Sequence, residues 1–262
     1  MPNKNTPWNV ESNSGNPTRS IVVNKLIKAI KKKEVRKEGV PSQARRALQI
    51  AEYLQLVRLL HEEDDHTRSK VISCMIKVQF HMIGRLDDVC QFKTSELKSH
   101  SNFPFLLTGR LCWSKNVQDE RDAPDQILFP SKEWEYCVYI GLAVHLENIL
   151  ATGDGENNDL LFGICGPGQR GVSRLKDRAS NILKNIFESE QFDRVLDGNL
   201  GSHSLWKLPA TYARRNGASR DDIDTRGRWK KNTRQVDTYI DTLLPYPDAR
   251  VASILSIGGC VK

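Results

Sequence analysis

The chain has 262 residues, 27% of them charged and 39% hydrophobic, and a net charge of +7. At roughly 100–200 residues per domain this allows one large domain, or one domain and a fragment, and the hydrophobic share excludes a wholly disordered chain. No apolar run reaches the roughly 18 residues of a membrane span, and MPNKNTPWNVESNSGNPTRS lacks the apolar centre of a signal peptide; a soluble, intracellular protein without a membrane partner is expected.

In chain order, residues 1–20 are rich in Asn, Ser, Pro and Gly without any period and are expected to be disordered. Residues 21–46 form a basic arm, predicted helical from Ile21, Val22, Leu26, Ile27 and Ile30, with a break at Gly39-Val40-Pro41-Ser42. Between Arg19 and Arg46 ten Lys/Arg face two acids, a net of +8, so the rest of the chain sums to −1. Such a localised run is a footprint for phosphate backbone, although a solvated helix face or a nuclear-import signal has the same composition. Its candidate contacts are Lys31, Lys32, Lys33, Arg36, Lys37, Arg45 and Arg46.

A compact body is expected over 47–262. Tyr53, Leu54, Val57 and Leu60 mark one amphipathic helix; Val71, Met75, Val78 and Met82 mark a second, ending near Gly84. FPFLLTGRLCW (103–113) and PDQILF read as strands, so a small antiparallel sheet is placed near Phe103–Phe129. Trp134–Leu150 reads as a buried helix, LLFGI as a short extended piece and Ser173–Phe187 as a polar-faced helix. Residues 203–245 read as helix with breaks at Gly217 and Gly227. The fold class is therefore α+β, mainly helical.

Three motifs are decoys. HEEDDH between the first two body helices resembles HExxH, but its second His comes one residue late, and a solvated turn is the simpler reading. GPGQRG (166–171) spells a dinucleotide fingerprint, yet the βαβ context is missing. Asp154–Asp159 lacks the final Glu of a calcium loop. The cysteines (Cys74, Cys90, Cys112, Cys137, Cys165, Cys260) are scattered without a CxxC pair. They read as reduced thiols, and no metal or other cofactor is expected.

One ordered set of residues carries chemistry. Gly84-Arg85-Leu86-Asp87-Asp88 sits at a predicted helix end and Trp113-Ser114-Lys115-Asn116 at a strand end. His203 opens a helix, Ala213-Arg214-Arg215-Asn216-Gly217 follows, and Gly227-Arg228-Trp229 precedes Tyr239. Singly, each residue has an ordinary reading. Arg85 can cap helix carbonyls, Lys115 can be a surface lysine, His203 a helix-start residue, and Trp229 and Tyr239 core. Together, in this order and spacing, they resemble the tyrosine recombinases, with the eukaryotic Crypton-type element recombinases as the nearest pattern. The resemblance spans roughly residues 42–260.

It implies a catalytic domain that breaks and rejoins double-stranded DNA through a 3′-phosphotyrosyl intermediate, without metal or ATP. Tyr239 would be the nucleophile and Lys115 the general acid for the 5′ leaving oxygen. Arg85, His203 and the Trp229 indole N–H would stabilise charge on the phosphate oxygens, and Asp88 would orient its neighbours. Arg228, Lys230 and Lys231 would add DNA contacts. Family members assemble as tetramers on DNA, and a nuclear location follows from the substrate and the basic run.

Two departures stand out. The family's second arginine falls at position 206, where this chain has Trp206; losing one such donor costs about 10²–10³ in rate. Lys207 is one residue on, which turns it about 100° round a helix. The segment 1–46 is also too short for the family's whole N-terminal domain, and reads as a remnant of it. A mobile-element recombinase with impaired cleavage is one expectation; a non-cleaving DNA-binding protein of the same fold is the other. A basic structural or RNA-associated protein would not need the set from Arg85 to Tyr239.

Overall fold

The computed structural model describes residues 6–36, 38, 45–62, 66–113, 123–152, 159–163, 172–229 and 251–257. The chain divides into two units, Met1–Ala44 and Arg45–Lys262.

In the first unit, residues 6–20 are described as a series of local turns. Asn9 Oδ1 accepts from Glu11 N and Ser12 N at 2.9 and 3.3 Å. Asn16 caps a short 3₁₀ turn, Pro17–Arg19. Asparagine side chains substitute for missing backbone partners in such turns, which explains local order without hydrophobic periodicity. Helix α1, Ile21–Val35, follows, with Ser20 Oγ accepting from Val23 N at 3.2 Å as its N-cap. Lys31, Lys32, Lys33 and Arg36 are exposed.

The second unit is built around one buried helix. Helix α2, Ile50–Glu62, buries Tyr53, Leu56, Val57 and Leu60. Helix α3, His66–Met82, is buried on every side from Val71 onward, more than the predicted stripe. A helix enclosed all round is a core helix, and its polar residues then need internal partners. Lys77 Nζ donates to Trp134 O at 2.8 Å, and His81 Nε2 lies 2.8 Å from Tyr136 O. Helix α4, Leu86–Cys90, is a single short turn.

The sheet is antiparallel in the order β1 (Leu97–Ser99), β2 (Leu107–Gly109), β3 (Gln126–Leu128). Leu97 pairs with Gly109, and Leu107 with Leu128. Strand β2 covers only the middle of the predicted 103–113 strand, and β1 was not anticipated. Tyr139 pins the sheet to the helices: its hydroxyl accepts from Leu107 N at 2.6 Å and reaches Leu128 O at 3.0 Å.

Helix α5, Val138–Thr152, starts four residues later than Trp134 and is only half-buried, with Leu150 83% exposed. Helix α6, Val172–Glu188, α7, Ser202–Arg215, and α8, Arg220–Arg226, complete the body; residues 251–255 are helical. Helices α2, α5 and α7 pack on α3, as does α4. Cys74, Cys90 and Cys137 are buried and Cys112 is exposed. Leu160 of LLFGI forms an isolated bridge with Lys93. The GPGQRG motif, residues 153–158 of the calcium-like loop and the centre of HEEDDH lie outside the described residues. Among the described residues no cluster of His, Cys, Asp and Glu could hold a metal, and no helix is long and apolar enough to cross a membrane.

Candidate functional site

Three helices of the second unit stop in the same way. At the end of α3, Gly84 N bonds Gln79 O at 3.1 Å and Ile83 N bonds Phe80 O at 3.4 Å. At the end of α7, Ala218 N bonds Ala213 O at 3.0 Å and Gly217 N bonds Arg214 O at 3.2 Å. At the end of α8, Trp229 N bonds Asp224 O at 2.9 Å and Arg228 N bonds Thr225 O at 3.2 Å. These are Schellman turns, whose penultimate residue is left-handed and usually glycine. Gly217 obeys the rule with φ +89°, whereas the other two turns place Ile83 (φ +46°) and Arg228 (φ +54°) there. The predicted break at Gly227 is thus made by Arg228; Gly227 itself has φ −79°. A left-handed side-chain-bearing residue costs roughly 1–2 kcal/mol.

The two unusual turns meet. Arg228 reaches back to the end of α3, where Nη1 lies 3.4 Å from Met82 O and Nη2 3.4 Å from Ile83 O. Nη1 also donates to Arg226 O at 3.1 Å. Its guanidinium stands 3.8 Å from the Asp88 carboxylate, and both side chains are almost fully buried. Burial pushes the Asp88 carboxyl up, against the pull of the Arg85 N–H and the Arg228 charge. Burial likewise brings Arg228 down to about 10, against the pull of Asp88. Desolvation outweighs attraction for both partners, so the pair fixes geometry more than it adds stability. Arg226, 1% exposed, ties the same corner to the sheet: Nε donates to His81 O at 2.7 Å and Nη2 to Ile127 O at 2.8 Å.

Arg85 follows directly on this braced turn, as the N-cap of α4. Asp88 Oδ2 accepts from Arg85 N at 3.1 Å, so the carboxylate holds the arginine backbone. The Arg85 side chain enters a cleft of about 640 Å³ shared with Gln91, Trp113, Lys176, His203 and Trp206. Its guanidinium lies over the Trp206 ring, 5.0 Å from the centroid, a cation–π contact. Trp206 meets Trp229 edge-on at 5.5 Å and His203 edge-on at 6.2 Å. The indole at 206 is thus the hub on which Arg85, His203 and Trp229 converge. Burial lowers the His203 pKa, and the charges of Arg45, Arg85, Lys207 and Lys176 lower it further, so the imidazole is neutral near pH 7. Lys176 is held by Asp87 at 2.8 Å. Lys207 does not replace the missing arginine: its Nζ donates to Arg45 O at 2.5 Å.

The structure therefore brings together Arg85, Asp88, His203, Trp206 and Trp229. Two expected DNA contacts are corrected. Arg228 is 5% exposed and bonded internally, because it must close the α3–α4 corner. Arg46 grips the buried Glu52 through Nη1–Oε2 and Nη2–Oε1 contacts of 2.7 and 2.6 Å. It also donates to Asp197 O at 3.1 Å, so it ties the start of α2 to the segment before α7. Burial raises the Glu52 carboxyl, but Arg46 and the N–H groups of Gln49 and Val195 bring it below the usual range. Arg45 remains exposed. Lys37, Lys115, Lys230, Lys231 and Tyr239 lie outside the described residues. Sequence reasoning missed Arg226 and the inward role of Arg228; their place at a helix end after Ser219-Arg220-Asp221-Asp222, a capping signal, was the available clue. Ser219 Oγ accepts from Asp222 N at 3.1 Å.

No protein-family model and no curated protein matches the chain. Solved structures do. The FLP recombinase in a Holliday-junction complex matches with a TM-score of 0.50 at 14% identity, over 94% of this chain and 61% of that one. XerH, a site-specific recombinase bound to its difH substrate, matches with a TM-score of 0.49 at 14% identity, over 75% of this chain and 50% of that one. XerA recombinase matches with 0.48 at 18% identity, over 93% and 73%. The chain thus spans one half to about three fifths of the XerH and FLP chains. A mostly helical body with one small antiparallel sheet, superimposing on FLP along nearly its whole length, has the fold of a tyrosine recombinase catalytic domain.

Proposed function

We propose that residues 45–262 bind double-stranded DNA and act on its phosphodiester bond as a tyrosine recombinase does, with cleavage weakened by Trp206. The observation that carries this reading is the convergence of Arg85, His203 and Trp229 on Trp206, with Arg85, His203 and Trp206 lining one cleft. Attack on a phosphodiester gathers negative charge on the non-bridging oxygens. Arg85 supplies one guanidinium fork for that charge, and His203 and the Trp229 N–H supply neutral donors. Tyr239 is assigned the attack and Lys115 the proton for the leaving 5′ oxygen, both on the motif order alone. No water or cofactor is consumed, because the phosphotyrosyl bond conserves the energy for rejoining. Lys31, Lys32, Lys33, Arg36 and Arg45 add backbone contacts, so binding is salt-sensitive. Self-association on DNA, a nuclear location and descent from a Crypton-like mobile element belong to the same reading.

A second reading, binding without cleavage, is favoured by Trp206 itself, which puts an indole where a second charged fork would stand. One experiment separates them. Duplexes enriched by binding from a random pool are nicked so that the short fragment released with a free 5′ hydroxyl diffuses away, and covalent adducts are scored on a denaturing gel. The recombinase reading expects a faint adduct, lost in Tyr239→Phe and raised about 100-fold in Trp206→Arg. DNA binding with no adduct from either protein supports the binding-only reading. Absence of DNA binding, or binding indifferent to salt, overturns both.

A further inference from the structure

The cleft holds more than an arginine and its aromatic neighbour. Arg226 and Arg228 spend their N–H groups on carbonyls. Arg85 is different: among the described residues its guanidinium has a ring against one face and no carboxylate or carbonyl on its donors. A guanidinium carbon held over an indole face makes no hydrogen bond to that ring's π face, so its N–H groups stay available to a phosphate. The same cleft carries Trp113, whose side chain is 62% exposed. Trp206 is occupied by Arg85, His203 and Trp229, whereas Trp113 offers an open ring. A cation with no carboxylate or carbonyl partner among the described residues and an open aromatic face share a cleft of about 640 Å³, within the range of roughly 300–1,000 Å³ that suits a small ligand.

That pairing selects a particular form of nucleic acid. In an intact duplex every base face is covered by its neighbours. In a single strand, or at a gap, a base is free to stack on an aromatic side chain while its phosphate meets a cation. We propose that this cleft binds an unstacked nucleotide of single-stranded DNA, with the phosphate on the Arg85 fork and the base on Trp113. Trp206 then has a positive role, as the ring against which the Arg85 guanidinium rests. The proposal deepens the reading above and rests on it for DNA as the ligand. Its failure is separable, because duplex binding and adduct formation report on that reading and neither depends on a free base.

The test is fluorescence anisotropy of the full chain with two labelled five-nucleotide probes. One is pentathymidylate; the other has the same backbone with all five positions abasic, so the charge is equal. The expected result is a preference of roughly 5- to 150-fold for the thymidylate probe, the range for one stacked base. Trp113→Ala, a change at an exposed position, should bring the two probes to equal affinity without weakening the abasic one. Arg85→Gln should weaken both. Equal binding of the two probes by the native chain overturns the proposal, as does a preference that survives Trp113→Ala. Thermal melts of the variants identify any that fail to fold. If Trp113→Ala does, Trp113→Phe, which keeps a smaller ring, should retain part of the preference and decides the matter by the same comparison.

Discussion

The end of α7 and the corner where α3 and α8 end use one hydrogen-bonding pattern with opposite chemistry. At the first, Gly217 takes the left-handed position, and a Cβ placed there would touch nothing within 4 Å. At the second, Ile83 and Arg228 take that position with φ of +46° and +54°, and the side chain of one bonds the carbonyl of the other. The ordinary turn merely reverses the chain. The strained pair fixes the residue after each turn: Trp229 follows Arg228, and Arg85 stands one position beyond Gly84. Strain of this kind persists only where surrounding contacts over-determine it. Here those contacts are the Arg228 fork, the Asp88 carboxylate and the Arg226 ties to the sheet.

The sharpest way to break that contrast is to remove the guanidinium and keep the backbone strain. Arg228→Met does both, since Met tolerates a left-handed conformation no better than Arg. It leaves Asp88 buried without its counter-charge and frees two α3 carbonyls. Removing one partner of a buried pair costs about 3–5 kcal/mol, and a loss of that size is expected in urea denaturation. Adding Asp88→Asn should recover part of it. A loss below about 1 kcal/mol, within the range of an exposed ion pair, would show that the corner is braced by other contacts.

A second probe is pH. His81 lies in the last turn of α3, where Arg226 bonds its carbonyl at 2.7 Å. Burial lowers its pKa from 6.5 to about 4, and the Arg226 and Lys77 charges add to that, against the pull of Tyr136 O. The folded state therefore binds fewer protons than the unfolded state between those values. Its contribution is full above pH 6.5 and falls as pH drops toward 4, by a total of about 3 kcal/mol at 1.36 kcal/mol per unit. Asp88 acts in the opposite sense. Its raised pKa gives a contribution that is present at low pH and lost as pH rises through that pKa. Unfolding midpoints measured from pH 7 to 4 should fall, and His81→Gln should flatten the fall. A native profile already flat over that range would mean that the histidine titrates as it does in water.

What could be read in advance follows the same division. Helices α2 and α6 announce themselves by apolar periodicity, and Gly217 announces its turn because only glycine adopts φ +89° at little cost. The site residues Arg85, His203, Trp206 and Trp229 were legible as an ordered motif. The brace beneath them was not. Arg226 and Arg228 lie in a run dense with Lys and Arg, where charge suggests a solvated or DNA-facing surface. Their burial depends on carbonyls more than 90 residues away in sequence. Strand β1 escaped because Leu-Lys-Ser is too short to show a period. Ile83 escaped because a β-branched residue is the last one expected in a left-handed turn.

The smallest expected effect tests whether the ordinary turn is ordinary. Gly217→Ala adds one methyl into open space, so no packing term enters. Only the backbone resists, and a left-handed alanine costs roughly 1–2 kcal/mol. The shorter list of conformations open to an unfolded alanine offsets part of that. The net loss should be near 1 kcal/mol, read as a lower denaturation midpoint with an unchanged slope. Because the turn braces no cleft residue, affinity for both DNA probes should stay within twofold of the native chain. A loss of binding out of proportion to that small destabilisation would mean that the end of α7 also sets the position of His203 and Trp206, 14 and 11 residues before Gly217, and that the two kinds of turn are not separate in function.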